Sequence, residues 1–203
     1  MSLVNFDIDA IPGERWFPKE TFFEEDMQLY WGDWGVASEV DALKAVLMRR
    51  PGKEIENFDY NEVRFKSTIN VEKFRQEHDN LAQIYKEHDI KVYYVENQRE
   101  DRPNALFMRD LVFMTPEGAI VTRPAMAARR GEERYVAETL AKIGVPIVRT
   151  INGNCTFEGA MGMWVDRQTV ILATGSRTNK AGYEQVEYEL KRMGVSDIIH
   201  MQI

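Results

Sequence analysis

Apolar and polar positions along this 203-residue chain follow a pattern that returns after fifty positions. Leu111-Val-Phe-Met falls opposite Met161-Gly-Met-Trp, Thr115-Pro-Glu-Gly opposite Val165-Asp-Arg-Gln, and Ala119-Ile-Val opposite Thr169-Val-Ile. Val136, Leu140, Gly144 and Val145 then meet Val186, Leu190, Gly194 and Val195. A fixed period of this length marks one supersecondary unit used repeatedly, stacked in a line or set around an axis. Short alternating runs predict hairpins over 111–122 and 162–173, and helical spacing predicts helices over 131–143 and 181–193. Closing strands follow at 145–150 and 197–202. Pro116-Glu-Gly118 supplies the first turn, because glycine accepts a positive φ, and Gly144 suits the left-handed position just past a helix.

Upstream, Leu43-Lys-Ala-Val-Leu-Met reads as a strand stopped by Pro51-Gly52. A helix over 71–88 puts Phe74, Leu81, Ile84 and Tyr85 on one stripe, and a strand over 90–95 follows. Each of three units is therefore expected to be β-β-α-β. Residues 1–33 read as an irregular, acidic leader; the aromatics Trp16, Phe22, Phe23, Tyr30, Trp31 and Trp34 are expected to pack as a flap over the domain surface, a lid over a site being the sharper alternative. Residues 34–203 are expected to form one domain without an internal linker, and the abrupt end on the third unit's last strand leads to the expectation that the domain is incomplete there. A radial array of such units protects its edges only on closing; an open mixed sheet with helices on one side is the plain alternative, and an open edge invites self-association into a homo-oligomer.

Composition narrows the partners. A net charge of −7 argues against nucleic acid or an anionic membrane and favours a cationic small molecule, although solubility alone also accounts for it. One cysteine excludes an internal disulfide framework and fits a cytoplasmic setting. No apolar run reaches membrane-spanning length. His78 and His88 match no common metal-ligand spacing, and no phosphate loop is present, so neither a metal nor another cofactor is expected.

The chemistry gathers at strand mouths. Asp110 ends Asn104-Ala-Leu-Phe-Met-Arg-Asp just before one hairpin, and Glu158 stands two places out of register before the next. Around an axis, equivalent strand ends converge, and the two acids can share a pocket. Arg177, in Gly175-Ser-Arg-Thr-Asn179, follows the third unit's hairpin and can reach back. Carboxylates match a guanidinium by planar two-pronged hydrogen bonding, and an arginine matches a carboxylate the same way. Acids at strand ends also cap turns, and Arg109 can simply pair with Asp110; residue types alone leave both readings open.

Taken in order, Asn104-x-x-Phe107-x-Arg109-Asp110, Phe157-Glu158-Gly159 with Trp164-Val-Asp166, and Gly175-Ser-Arg177-Thr-Asn179 resemble the guanidino-group-modifying superfamily: arginine deiminases, arginine dihydrolases, dimethylarginine hydrolases and amidinotransferases. Trp34-Gly-Val-Ala-Ser-Glu39 through Arg50-Pro51-Gly52 is similar to a first-strand signature of the arginine-handling members. The resemblance implies a pentein-like α/β propeller of five β-β-α-β units, with three visible in this chain. It implies that Asp110 and Glu158 grip the guanidinium, that Arg177 holds the substrate carboxylate, and that Asn104 and Phe107 line the pocket. The implied reaction is covalent: a cysteine thiolate attacks the guanidinium carbon, a histidine shuttles protons, and water or an amine resolves the adduct.

Three departures shape the expectation. The superfamily's catalytic histidine and cysteine lie further along than Ile203, so this chain alone is expected to be inactive. His200 and Cys155 stand at neither position, and Cys155 reads as a small buried hydrophobe. Met161 replaces an acid usual in the superfamily, removing one acceptor beside the substrate. The chain is thus expected to belong to an amidinohydrolase or amidinotransferase acting on arginine or a relative in a longer form. The alternative is a non-catalytic guanidino-ligand or partner-binding protein on the same scaffold.

Overall fold

The structure is a computed structural model that describes residues 21–203, so Trp16 and most of the leader lie outside the described residues. Its elements are α1 (Phe23–Tyr30), β1 (Ala45–Met48), α2 (Tyr60–Val63), α3 (Val71–Glu87), β2 (Lys91–Tyr94), β3 (Val112–Thr115), β4 (Gly118–Val121), α4 (Glu132–Lys142), β5 (Ile147–Thr150), β6 (Gly162–Asp166), β7 (Thr169–Thr174), α5 (Lys180–Arg192) and β8 (Asp197–Gln202). They form a mixed α/β fold with three separate sheets, ordered β1-β2, β3-β4-β5 and β6-β7-β8. One continuous open sheet is not what the chain forms, and among the described residues the sheets do not close on one another.

The second and third sheets share one plan. β3 and β4 pair antiparallel, and β4 runs parallel to β5 across α4. β6 and β7 pair antiparallel, and β7 runs parallel to β8 across α5. Gly118 adopts φ +122° in the hairpin turn, and an added Cβ would lie 2.3 Å from the Pro146 carbonyl oxygen, so glycine is required there. Helix α4 buries Glu132, Val136 and Leu140, and α5 buries Gly182, Val186, Glu189 and Leu190, on the face toward the sheet.

The first unit departs from that plan. β1 and β2 pair parallel around α3, with no antiparallel partner between them. After Pro51 the chain is gathered by side chains: Glu54 accepts from the Gly52 N–H at 2.8 Å, and Arg75 donates to the carbonyls of Pro51 and Gly52. The helix stripe also differs from expectation. Ala82 is the buried position, Phe74 and Tyr85 are half-buried, and Leu81 and Ile84 face outward, because a two-stranded sheet covers only a narrow side of α3. The leader is not wholly irregular, since α1 docks through Met27 and an Arg167–Glu24 ion pair. Among the described residues of the leader, Phe23 is half-buried, while Phe22, Tyr30 and Trp31 stay at least half exposed.

The sheets meet at a shared core. Phe113 of β3 stacks on Trp164 of β6 at 5.9 Å and meets Phe157 edge-on at 6.1 Å. The Trp164 indole N–H donates to the Met114 carbonyl at 2.9 Å, satisfying a buried donor across the junction.

Candidate functional site

Two short 3-10 turns carry the acids to this junction. Met108–Asp110 precedes β3, and Gly159–Met161 precedes β6 with Glu158 as its cap. The turns press together at Gly159, where a Cβ would lie 2.4 Å from the Val112 carbonyl oxygen and 2.5 Å from that of Arg109. Absence of a side chain at this one position is what lets the two acids approach. Thr122 donates its hydroxyl to the Asp110 carbonyl at 2.8 Å. Phe157 exchanges two backbone hydrogen bonds with Arg123, and the Ala125 N–H donates to Glu158 Oε1 at 3.3 Å.

Arg177 lies between the acids. Its Nη1 stands 3.2 Å from Glu158 Oε2 and 3.4 Å from Asp110 Oδ1. Asp110, Glu158 and Arg177 are therefore in one place, drawn from two units. Asn104 and Phe107 join them through a residue the sequence motifs did not single out, Arg129. That buried guanidinium donates through Nη1 to Asp110 Oδ2 at 2.5 Å and through Nη2 to the carbonyls of Asn104 and Phe107 at 3.2 and 3.3 Å. Phe107 lies over it at 6.0 Å, and Glu132 Oε2 accepts from its Nε and Nη2. Burial opposes the Arg129 charge, but Glu132 and Asp110 outweigh burial and hold its pKa above the ordinary arginine value.

A signal for Arg129 existed in the repeat. Asp110 and Arg129 are nineteen residues apart, and the same interval separates Glu158 from Arg177. The second and third units thus each carry an acid before the hairpin and an arginine after it. Arg109 does not pair with Asp110; it reaches Glu39 Oε1 at 2.9 Å and the Gly162 carbonyl at 2.7 Å. Cys155 is buried in the apolar core, with its carbonyl held by Arg123. His200 on β8 hydrogen-bonds Thr174 and packs against Tyr183. Met161, too, is buried in the core.

Glu132 gives the site a pH signature. Its side chain is fully buried and Oε1 has no hydrogen-bond partner among the described residues. Burial, opposed by Arg129, pushes its pKa up to about 7. The folded state therefore holds this proton more tightly than the unfolded chain does. That contribution to stability is full below about pH 4.5 and is lost as pH rises to about 7. Glu132→Gln will remove it. The difference in unfolding free energy between wild type and variant, from urea titrations, is expected to fall by roughly 1 kcal/mol per pH unit between pH 5 and 7. A constant difference across that range contradicts the assignment.

The fold is shared with enzymes that handle guanidino compounds. DDAH from Pseudomonas aeruginosa, solved as a cysteine-to-serine mutant complexed with citrulline, superposes with TM-score 0.66 at 23% identity, covering 78% of this chain and 61% of that one. The N-terminal domain of ArgZ, a cyanobacterial arginine dihydrolase bound to substrate, gives 0.64 at 18% identity over 78% and 58% of the two chains. SxtG, an amidinotransferase from Microseira wollei, gives 0.62 at 14% over 83% and 62%. Arginine deiminase of Staphylococcus aureus is 44% identical over 64 residues, 30% of this chain and 16% of that enzyme. The model of the family described as N,N dimethylarginine dimethylhydrolase, eukaryotic, matches residues 46–198. The chain belongs to that family, within the guanidino-group-modifying superfamily. It spans about three fifths of the structural neighbours and a sixth of the arginine deiminases.

Proposed function

We propose that this chain carries the guanidinium-binding part of a protein that acts on the guanidino group of arginine or a closely related compound. One observation carries the reading. The Asp110–Glu158 pair already accommodates a guanidinium, that of Arg177, within 3.4 Å of both acids. Asp110 and Glu158 grip the substrate guanidinium, Asn104 and Phe107 line the seat, and Arg177 takes the substrate carboxylate. In a full-length form, a cysteine thiolate adds to the guanidinium carbon, and the C–N bond breaks as the protonated amine leaves. Water or an acceptor amine then displaces the thiolate, while the two carboxylates keep the guanidinium cationic and electrophilic. The buried placement of Cys155 favours a binding role without turnover for the 203 residues themselves. The two β-β-α-β units are read as blades of an α/β propeller.

Calorimetric titration of this chain with L-arginine and L-citrulline tests the proposal. Arginine is expected to bind, and citrulline about tenfold or more weakly, because a neutral urea makes no charge-assisted pair with the acids. Equal affinities, or no arginine binding at millimolar concentration, count against it.

A further inference from the structure

The repeat gives two acid–arginine pairs of equal spacing but unequal fastening. Arg129 is 5% exposed and contacts Asp110, Glu132 and two carbonyls through all three of its nitrogens. Arg177 is 55% exposed and meets both acids through Nη1 alone, at 3.2 and 3.4 Å. Its backbone is held. Gly175 N–H donates to the Thr178 carbonyl, and the Asn179 side chain accepts from the backbone N–H groups of Gly182 and Thr156. The freedom at Arg177 therefore belongs to its side chain. One guanidinium is built into the wall, and the other is seated where an incoming guanidinium has to go.

We infer that Arg177 is a specificity-determining residue that works by exchange. It occupies the guanidinium seat in the free protein, and a ligand must displace it to bind. This deepens the proposed function and rests on the guanidinium reading of Asp110 and Glu158. A ligand that carries its own carboxylate gives the displaced Arg177 a new anion. A ligand without one leaves Arg177 competing for the seat. Wild-type affinity for a bare guanidinium compound is lowered by the fraction of time the seat is open. With Arg177 holding each acid no more strongly than a surface ion pair does, that reduction is between about five- and thirtyfold.

The test compares L-arginine with agmatine, its decarboxylated analogue, on the 203-residue chain and its Arg177→Gln variant. Agmatine is expected to bind the variant about five- to thirtyfold more tightly than wild type. The preference for arginine over agmatine is expected to collapse from tenfold or more toward unity. A residue that only held the ligand carboxylate would lower arginine affinity and leave agmatine unchanged, so unchanged or weakened agmatine binding overturns the exchange. Adding Glu158→Gln to the variant must erase the agmatine gain; a gain that persists comes from elsewhere and also overturns it. Should Arg177→Gln melt early, Arg177→Lys keeps the charge without the planar fork and is expected to show the same direction of change. Arginine binding that Glu158→Gln abolishes, without any agmatine gain in Arg177→Gln, sinks the exchange and leaves the guanidinium seat standing. Absence of binding by either ligand to wild type and variant alike removes the seat and the exchange together.

Discussion

Glu158→Gln and Asp110→Asn will each weaken arginine binding by about thirtyfold or more. Both substitutions keep the shape of the side chain and remove its charge, so the loss reports on electrostatics rather than packing. Glu158 is 2% exposed, and truncating one partner of a buried charge pair costs about 2–5 kcal/mol, or roughly thirty- to several-thousandfold in affinity. The two variants differ in what they leave behind. Asp110→Asn also strips a charged partner from buried Arg129, whereas Glu158→Gln touches Arg177 alone among the arginines. Asp110→Asn is therefore the more destabilising to the fold, and Glu158→Gln the cleaner test of binding. Wild-type affinity in both variants removes these two acids from the site.

Replacing Arg129 with methionine will cost about 3–5 kcal/mol of stability at pH 7.5, read from urea denaturation. Removing one partner of a buried ion cluster leaves the others uncompensated, and here Asp110 and Glu132 both lose their cation. Two carbonyls, those of Asn104 and Phe107, lose a donor as well. Pairing the change with Glu132→Gln should restore part of the loss, because one of the orphaned charges is then gone. Arg177→Gln offers the contrast: that side chain is more than half exposed, and losing its two ion pairs should cost only about 1–2 kcal/mol. A small effect at Arg129 would mean that water, rather than the protein, balances the cluster.

Most of the regular structure was legible because apolar spacing, glycines and turn residues agreed with one another. The hairpins, α4, α5 and the strands after them fall within one or two residues of their expected places, and Gly144 and Gly194 both adopt φ +85°. The first unit misled because periodicity reports a strand or helix but not its partner. Nothing in residues 43–95 distinguishes a parallel pair around α3 from a hairpin-led unit, and Leu81 and Ile84 have helical spacing yet face water. At the site, Asp110, Glu158 and Arg177 stood out as chemistry at strand mouths. Arg129 and Glu132 did not, because a buried ion pair between a 3-10 turn and the first residue of α4 looks like ordinary surface charge in sequence. Gly159 belongs to a recognisable motif, but its reason, the carbonyls of Arg109 and Val112 against its Cα, lies in tertiary structure alone.

The junction where Phe113 lies against Phe157 and Trp164 has a kinetic meaning. Contacts inside each hairpin and its helix span few residues, while Met114 meets Trp164 across fifty and Asp110 meets Arg177 across sixty-seven. Loop-closure entropy favours the local contacts first, so the two units form before the seam between them is drawn shut. The proposed guanidinium seat between Asp110 and Glu158 is then among the last parts of the chain to assemble. A ligand gripping both acids fastens an arrangement reached after the main barrier, and its binding slows unfolding while leaving the refolding rate unchanged.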